Sequence, residues 1–276
     1  MTGLSRRRSS VTGKFPLAAR TASKTRPMSI RCITFDWGDT LAANYGMPYL
    51  ATQRRAFATL ASDLRELGCA VPDGWVKTVL GDIEQQWHST ISRELNPENR
   101  EMDMVAMFDR WIGAVASMDV DAHRLKRALD RCHATLTDTV VPFTEAAPAL
   151  ALLKARGYRL GVLSHVPWPG DGCRAWFARH GMAGYFDFYS LSCEIGWIKP
   201  HPKHFQHALD HAGCAAKEIL HVGDHPLRDV EGARAAGFRT CLRHTENIYP
   251  EELLRACAPD AEILHLRELI EIAGKL

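Results

Sequence analysis

After Pro142 the chain alternates short apolar runs with segments of helical period, and this alternation restricts its fold more than any single residue does. A helix over about Glu145 to Arg156 ends at Gly157, and the apolar run Tyr158 to Ser164 follows. A further helix precedes the run Phe186 to Ser190. Next come a helix over Pro202 to Ala212, a strand over Glu218 to Val222, a helix over Asp229 to Ala236 and a strand over Arg239 to Leu242. Ile263-Leu264 and Leu266 to Ala273 add an edge strand and a last helix. Strands that are apolar along their whole length are buried on both faces, which is how a parallel sheet covered by helices reads.

One more apolar run, Ile30 to Phe35, stands far upstream. It reads as part of the same sheet, so that 30–41 and 142–276 form one α/β, Rossmann-like parallel-sheet core, with 42–141 inserted into it. Inside the insertion the period is helical. Leu50, Phe57, Leu60, Leu64 and Leu67 mark one stripe, and Val76, Val79, Leu80, Ile83, Trp87 and Ile91 a second. Met104, Phe108, Trp111 and Val115 make a third, and Leu125, Leu129, Cys132 and Leu136 a fourth. Breaks at Gly68, Pro72, Asn96-Pro97 and Asp119 to Asp121 separate them, so the insertion is expected to be an all-α helical bundle with its own core.

Charge and cysteine usage narrow the class. Residues 1–28 carry seven Lys or Arg and no Asp or Glu, leaving 27 basic against 32 acidic residues in the rest. The net charge of +2 therefore hides an acidic body, which argues against nucleic acid as a partner of the folded part. Residues 1–29 are read as a basic, disordered N-terminal extension. Their Ser, Thr and Arg content resembles an organellar transit peptide, but that reading ranks second, and a secretory apolar segment is missing. No apolar run is long enough to span a bilayer, so no membrane partner is expected. The eight Cys are scattered without a Cys-x-x-Cys pair, which suits reduced thiols and a cytoplasmic location.

The chemistry-bearing residues lie where strands end. Asp36 follows the first run in Phe35-Asp36-Trp37-Gly38-Asp39-Thr40-Leu41, and Ser164 ends Leu160-Gly161-Val162-Leu163-Ser164. Lys199 lies in Gly196-Trp197-Ile198-Lys199-Pro200, and Asp224 and Asp229 in Val222-Gly223-Asp224-His225-Pro226-Leu227-Arg228-Asp229. Open parallel sheets bind their ligands at such ends. Transfer of a phosphoryl group needs these types: a carboxylate to attack phosphorus, a hydroxyl and an ammonium to hold the non-bridging oxygens, and acids to hold Mg²⁺. Singly, each has a plainer reading as a turn, cap or solvated charge.

Together, in this order, they resemble the four motifs of the haloacid dehalogenase superfamily, with Val222 to Gly237 especially similar to the fourth. The resemblance makes the helical insertion the family's cap domain. It implies that Asp36 is the nucleophile and forms an aspartyl-phosphate, that Ser164 and Lys199 bind the phosphoryl group, and that Mg²⁺ is held by Asp36, the backbone carbonyl of Gly38, Asp224 and Asp229. The implied substrate is a small phosphorylated metabolite. The sequence departs from the family's phosphatase pattern at one place. The Asp two positions after the nucleophile, which protonates the leaving alcohol, is replaced by Gly38. The metal loses nothing, since its ligand there is a carbonyl, but the acid–base help is gone, a contribution of about 10²–10⁴ in rate.

Asp39 is a candidate relocated acid/base, although its position in the family holds a small turn residue, and a structural role in the loop is preferred for it. His165 follows Ser164 where relatives carry Asn, and filling an Asn-sized role is preferred over shuttling a proton. Three functional readings follow: a phosphatase with another proton source, a 2-haloacid dehalogenase or phosphonate hydrolase, and a catalytically impaired binding protein. Two acids at the metal positions weigh against a metal-free dehalogenase. A phosphonate hydrolase needs a cap Lys to form a Schiff base, and only Lys77 and Lys126 are on offer, both on polar helix faces. The binding-protein reading predicts an eroded site, whereas every other motif residue is retained. His204, His207 and His211 have a spacing that suits zinc, but an ordinary helix face is preferred. Trp75, Trp87 and Trp111 are assigned to the cap core or the cap–core interface.

Overall fold

The computed structural model describes residues 30–44, 49–116, 119–245 and 249–276. The expected extension, 1–29, lies outside them. Strand β1 (Cys32–Phe35) is buried along its whole length and runs into a tight turn and a short strand β2 (Ala42–Asn44). Four helices follow: α1 (Tyr49–Glu66), α2 (Trp75–Ile91), α3 (Met104–Gly113) and α4 (Ala122–Leu136). Strand β3 (Val140–Pro142) then brings the chain back antiparallel to β2, Ala42 facing Pro142 and Asn44 facing Val140.

The return leads through α5 (Ala146–Ala155), β4 (Arg159–Ser164), α6 (Gly170–Arg179), β5 (Phe188–Leu191) and the short α7 (Ser192–Ile195). Then follow α8 (Pro202–Ala212), β6 (Ile219–Gly223), a π-helical turn over Pro226–Glu231, α9 (Gly232–Ala235) and β7 (Arg239–Arg243). The chain closes with α10 (Glu251–Cys257), β8 (Ala261–Ile263) and α11 (Leu269–Ile272).

β1, β4, β5, β6, β7 and β8 form one parallel six-stranded sheet in the order β5-β4-β1-β6-β7-β8. The chain builds outward from β1 through β4 to β5, then crosses to build β6, β7 and β8 on the other side. β1 is thus the switch point, where such sheets open a crevice at their carboxyl ends. Phe35 pairs with both Val162 and Val222, so Asp36, Ser164 and Asp224 emerge close to one level on neighbouring strands.

The fold is the α/β class read from the sequence. The strands are largely apolar because helices cover both faces, with one cluster around Phe35, Leu160, Trp176 and Leu266 and another around Cys32, Phe188, Phe205 and Phe238. The inserted helices bury a separate cluster that includes Phe57, Leu64, Trp75, Ile83, Trp111 and Leu136. Phe57 meets Phe108 and Trp111 with ring centroids 5.7 and 5.8 Å apart, and Arg131 of α4 reaches Asp63 of α1 at 2.8 Å.

Two details differ from the periodicity. The β2–β3 ribbon joining the ends of the insertion has no sequence signal, because each strand is too short to show alternation. Leu50, placed in the first stripe, and Ile91, placed in the second, are exposed rather than buried.

Candidate active site

Side-chain direction in the turn after β1 follows strand alternation. Trp37 points into the core, its ring 5.0 Å from Trp176, whereas Asp36 and Gly38 line a cavity of about 290 Å³ at the sheet's carboxyl end. Asp39, Ser164, Lys199, Asp224 and Asp229 line the same cavity.

Lys199 Nζ has three oxygen acceptors: Asp36 Oδ1 at 2.9 Å, Asp229 Oδ1 at 2.5 Å and the Leu163 carbonyl at 3.0 Å. An ammonium has three hydrogens, so its valence is filled. Burial alone would favour the neutral amine, but Asp229 and Asp36 outweigh it and hold the ammonium protonated above its ordinary range.

Asp229 hangs from the turn over Pro226–Glu231, its Oδ2 accepting the His225 N–H at 2.9 Å and its Oδ1 facing His221 Nε2 at 3.2 Å. Burial opposes its charge, yet the Lys199 ammonium and His221 pull the carboxyl far below the usual carboxylate range. His221 Nδ1 lies 2.9 Å from Thr34 Oγ1. A carboxylate only accepts, so His221 carries its proton on Nε2 and takes a hydrogen from Thr34 on Nδ1. Gly223 is needed for this approach, because a Cβ there would lie 2.2 Å from Asp229 Cγ.

Asp224 is buried and accepts the Tyr249 hydroxyl at Oδ2, 3.0 Å away. Carboxylate oxygens of Asp36, Asp224 and Asp229 all lie within 4.8 Å of one another, the one such cluster among the described residues. An all-oxygen set with more negative charge than the one ammonium offsets fits a hard dication such as Mg²⁺. Ser164 is buried at the end of β4, its hydroxyl accepting the Trp37 N–H at 3.4 Å.

Asp39 is half-buried and sits at φ +52°, a left-handed position, with its N–H donating to the Ala42 carbonyl at 2.6 Å. That backbone makes the turn, and Asp is among the few residues that tolerate it. Gly38 has open space around the place of a Cβ.

The other candidates scatter. His204 Nε2 pairs with the Ser190 carbonyl at 3.0 Å, His207 Nδ1 with Ser190 Oγ at 3.1 Å and His211 Nδ1 with the His207 carbonyl at 2.8 Å, so the three do not converge on a metal. Lys77 and Lys126 are exposed, and Lys126 pairs with Asp130 at 2.8 Å. Trp75 and Trp111 are buried in the insertion, whereas Trp87 lines the same cavity as Asp36. The eight cysteines form no disulfide, and burial pushes the thiols of Cys32, Cys132 and Cys241 up to about 12. No helix among the described residues is long and apolar enough to cross a membrane.

Several lining or supporting residues went unread in the sequence. Arg228 lines the cavity, Tyr249 approaches from the segment after β7, and His221 looked like a polar interruption of a strand. Glu101, between α2 and α3, is buried with its Oε2 3.0 Å from His165 Nε2, and the Ser192 hydroxyl also donates to that oxygen. The His165 ring stacks on Trp87, centroids 5.3 Å apart. Only the turn signal at Asn96-Pro97 marked this region, and it does not reveal where Glu101 points.

The family model for haloacid dehalogenase-like hydrolases matches residues 30–237. A glyceraldehyde 3-phosphate phosphatase of Methanothermobacter thermautotrophicus is 35% identical over 219 residues, 79% of this chain and 87% of that protein. Another, of Methanopyrus kandleri, is 27% identical over 250 residues, 90% of this chain and 98% of its own length. Among solved structures, a 2-haloacid dehalogenase of Pseudomonas syringae superposes with a TM-score of 0.62 at 26% identity, covering 89% of this chain and 99% of that one.

Proposed function

The chain belongs to the haloacid dehalogenase-like hydrolase family and is a hydrolase, and from that premise we propose that it is a Mg²⁺-dependent phosphatase of a small phosphorylated metabolite. The observation that carries this reading is the triad of carboxylates within 4.8 Å with the Lys199 ammonium bridging two of them. A metal-free dehalogenase has no use for Asp224 and Asp229 there, and their charge would repel a 2-haloacid carboxylate. A binding protein has no need to keep the whole constellation.

Asp36, Asp224, Asp229 and the Gly38 carbonyl would hold the ion. Bound there, Mg²⁺ supplies positive charge that offsets the phosphoryl dianion and the charge developing during transfer. Asp36 attacks phosphorus in line to give the aspartyl-phosphate. Lys199 lowers the repulsion between that carboxylate and the incoming phosphate, and the Ser164 hydroxyl hydrogen-bonds a non-bridging oxygen. The Thr34–His221 pair holds Asp229 in place, as a fixed imidazole does for a ligating carboxylate. The cavity of about 290 Å³ suits a small substrate.

The test is phosphate release from an aryl phosphate and from a panel of metabolite phosphates, with Mg²⁺ and with chelator. Mg²⁺-dependent release that Asp36→Asn abolishes is expected. Turnover unaffected by chelator removes the metal mechanism, absence of turnover across the panel favours a binding protein, and halide release from 2-haloacids favours a dehalogenase.

A further inference from the structure

We infer that His165 is the proton donor to the leaving alcohol, positioned by Glu101 of the insertion, and that this pair replaces the acid that Gly38 lacks. The inference rests on the phosphatase reading and supplies the catalytic group missing from it.

The cavity offers few rivals. Lys199 has all three hydrogens committed, and Tyr249 donates its one hydrogen to Asp224. His225 Nδ1 accepts the Leu227 and Arg228 N–H groups at 3.2 and 3.3 Å, which ties the ring to capping the following turn. Asp39 has its backbone in the left-handed turn. Arg228 stays protonated throughout. His165 lines the same cavity, and an imidazole is a side chain that can both give and take a proton.

Its surroundings are built for that. The Glu101 side chain is 2% exposed and the His165 side chain 8%, with Oε2 and Nε2 3.0 Å apart. A buried carboxylate is unusual unless it faces a positive partner. Its charge lies against Nε2, on one side of the ring, and leaves Nδ1 as the nitrogen for the substrate. Trp87 stacks on the ring at 19° between planes and shields that face from water.

The insertion delivers Glu101 through a strap laid on the loop that bears Lys199. Ile198 N donates to the Asn99 carbonyl at 2.8 Å and Glu101 N to the Gly196 carbonyl at 3.1 Å, and the Arg100 guanidinium lies 3.9 Å over the Trp197 ring. Glu101 Oε1 accepts the Met102 N–H at 2.9 Å, and Ser192 holds Oε2. The acid is therefore complete only with the insertion seated on the core.

In the first step an Asp36 oxygen forms a bond to phosphorus as the bond to the leaving oxygen breaks. The bonding pair stays on that oxygen, which takes the proton from His165 Nδ1 and departs as the alcohol. In the second, the neutral imidazole takes a proton from water as the water oxygen bonds to phosphorus. The Asp36–phosphorus bond breaks, phosphate leaves, and the imidazolium is restored.

The experiment compares alkyl and aryl phosphates in full-length His165→Asn and Glu101→Gln proteins with Mg²⁺ present. An alkoxide needs a proton to leave, whereas a nitrophenolate does not. The expected result for His165→Asn is a fall in kcat/KM of about 10²–10³ on alkyl phosphates and little change on the aryl phosphate. The aryl substrate also shows a burst of about one phenolate per protein, because the acyl phosphate now waits for water without a base. Glu101→Gln falls about tenfold on the alkyl substrates alone. Equal losses on both classes mean a structural role and overturn the proposal, as does an unchanged alkyl rate. A retained aryl kcat/KM, with the burst, shows that the variants are folded. If the wild-type protein itself fails on the aryl phosphate, it is the phosphatase reading that falls.

Discussion

Lys199 Nζ lies 2.5 Å from Asp229 Oδ1, with both side chains 2% exposed, so the charge that organises the site is also a buried ion pair. Breaking such a pair leaves an uncompensated charge in the interior. Lys199→Met strands Asp229 and Asp36 together, and the expected cost is about 3–5 kcal/mol of folding stability along with loss of turnover by a factor of at least about 10³. Denaturant unfolding and phosphate release read the two effects. A variant as stable as the wild type shows that the ammonium does not compensate those carboxylates.

Gly38 is where a carboxylate can be put back. A Cβ there meets nothing within 4 Å, and the position alternates with Trp37 so as to face the cavity beside Asp36. Gly38→Asp is expected to raise alkyl phosphate turnover at least about tenfold in a His165→Asn background, and less in the wild type, where an acid is already supplied. Steady-state kinetics on both backgrounds decides this. Equal gains in the two backgrounds separate the new acid from His165.

How far the sequence led follows from what each residue answers to. The sheet strands were legible because burial on both faces makes them largely apolar, whereas the need for Gly223, where a side chain would strike Asp229, is visible only in the structure. The β2–β3 ribbon was not legible, since three residues carry no period. Asp36, Ser164 and Asp224 announce themselves by standing at strand ends, whereas Lys199 lies in the loop after α7 and Asp229 in the turn over Pro226–Glu231. Glu101 and Tyr249 reach the site from segments whose direction is set by packing of whole elements, and nothing local records that. His165 stood in plain view, but its weight changes only when the Glu101 carboxylate is found facing it.

Tyr249 donates to Asp224 Oδ2 at 3.0 Å, and burial followed by the nearby Asp224 charge pushes the phenol well above its ordinary range, so it remains a donor at all working pH values. Removing the hydroxyl frees one carboxylate lone pair and loosens the orientation of a proposed metal ligand. For Tyr249→Phe the Mg²⁺ concentration giving half-maximal activity is expected to rise about tenfold, with the rate at saturating metal within about threefold of wild type. Titration of activity with Mg²⁺ measures it. An unchanged midpoint means that Asp224 is oriented without the tyrosine.

His204 should make the fold sensitive to acid. It is fully buried in α8, burial lowers its pKa to about 3 despite the Ser190 carbonyl on Nε2, and the ordinary value is 6.5. Between those values the unfolded chain binds a proton that the folded one refuses, so stability rises with pH there. It is fully present above about 6.5 and is lost as pH falls toward 3. While that gap is open, this one group contributes about 1.4 kcal/mol per pH unit. His204→Gln can keep a hydrogen bond to Ser190 without titrating. The difference in unfolding free energy between wild type and variant should therefore shift by about 1 kcal/mol or more in the variant's favour between pH 6 and pH 5. Denaturant melts at the two pH values check this, and parallel losses in both proteins would assign the acid sensitivity to other groups, His221 and His225 first among them, since burial lowers both.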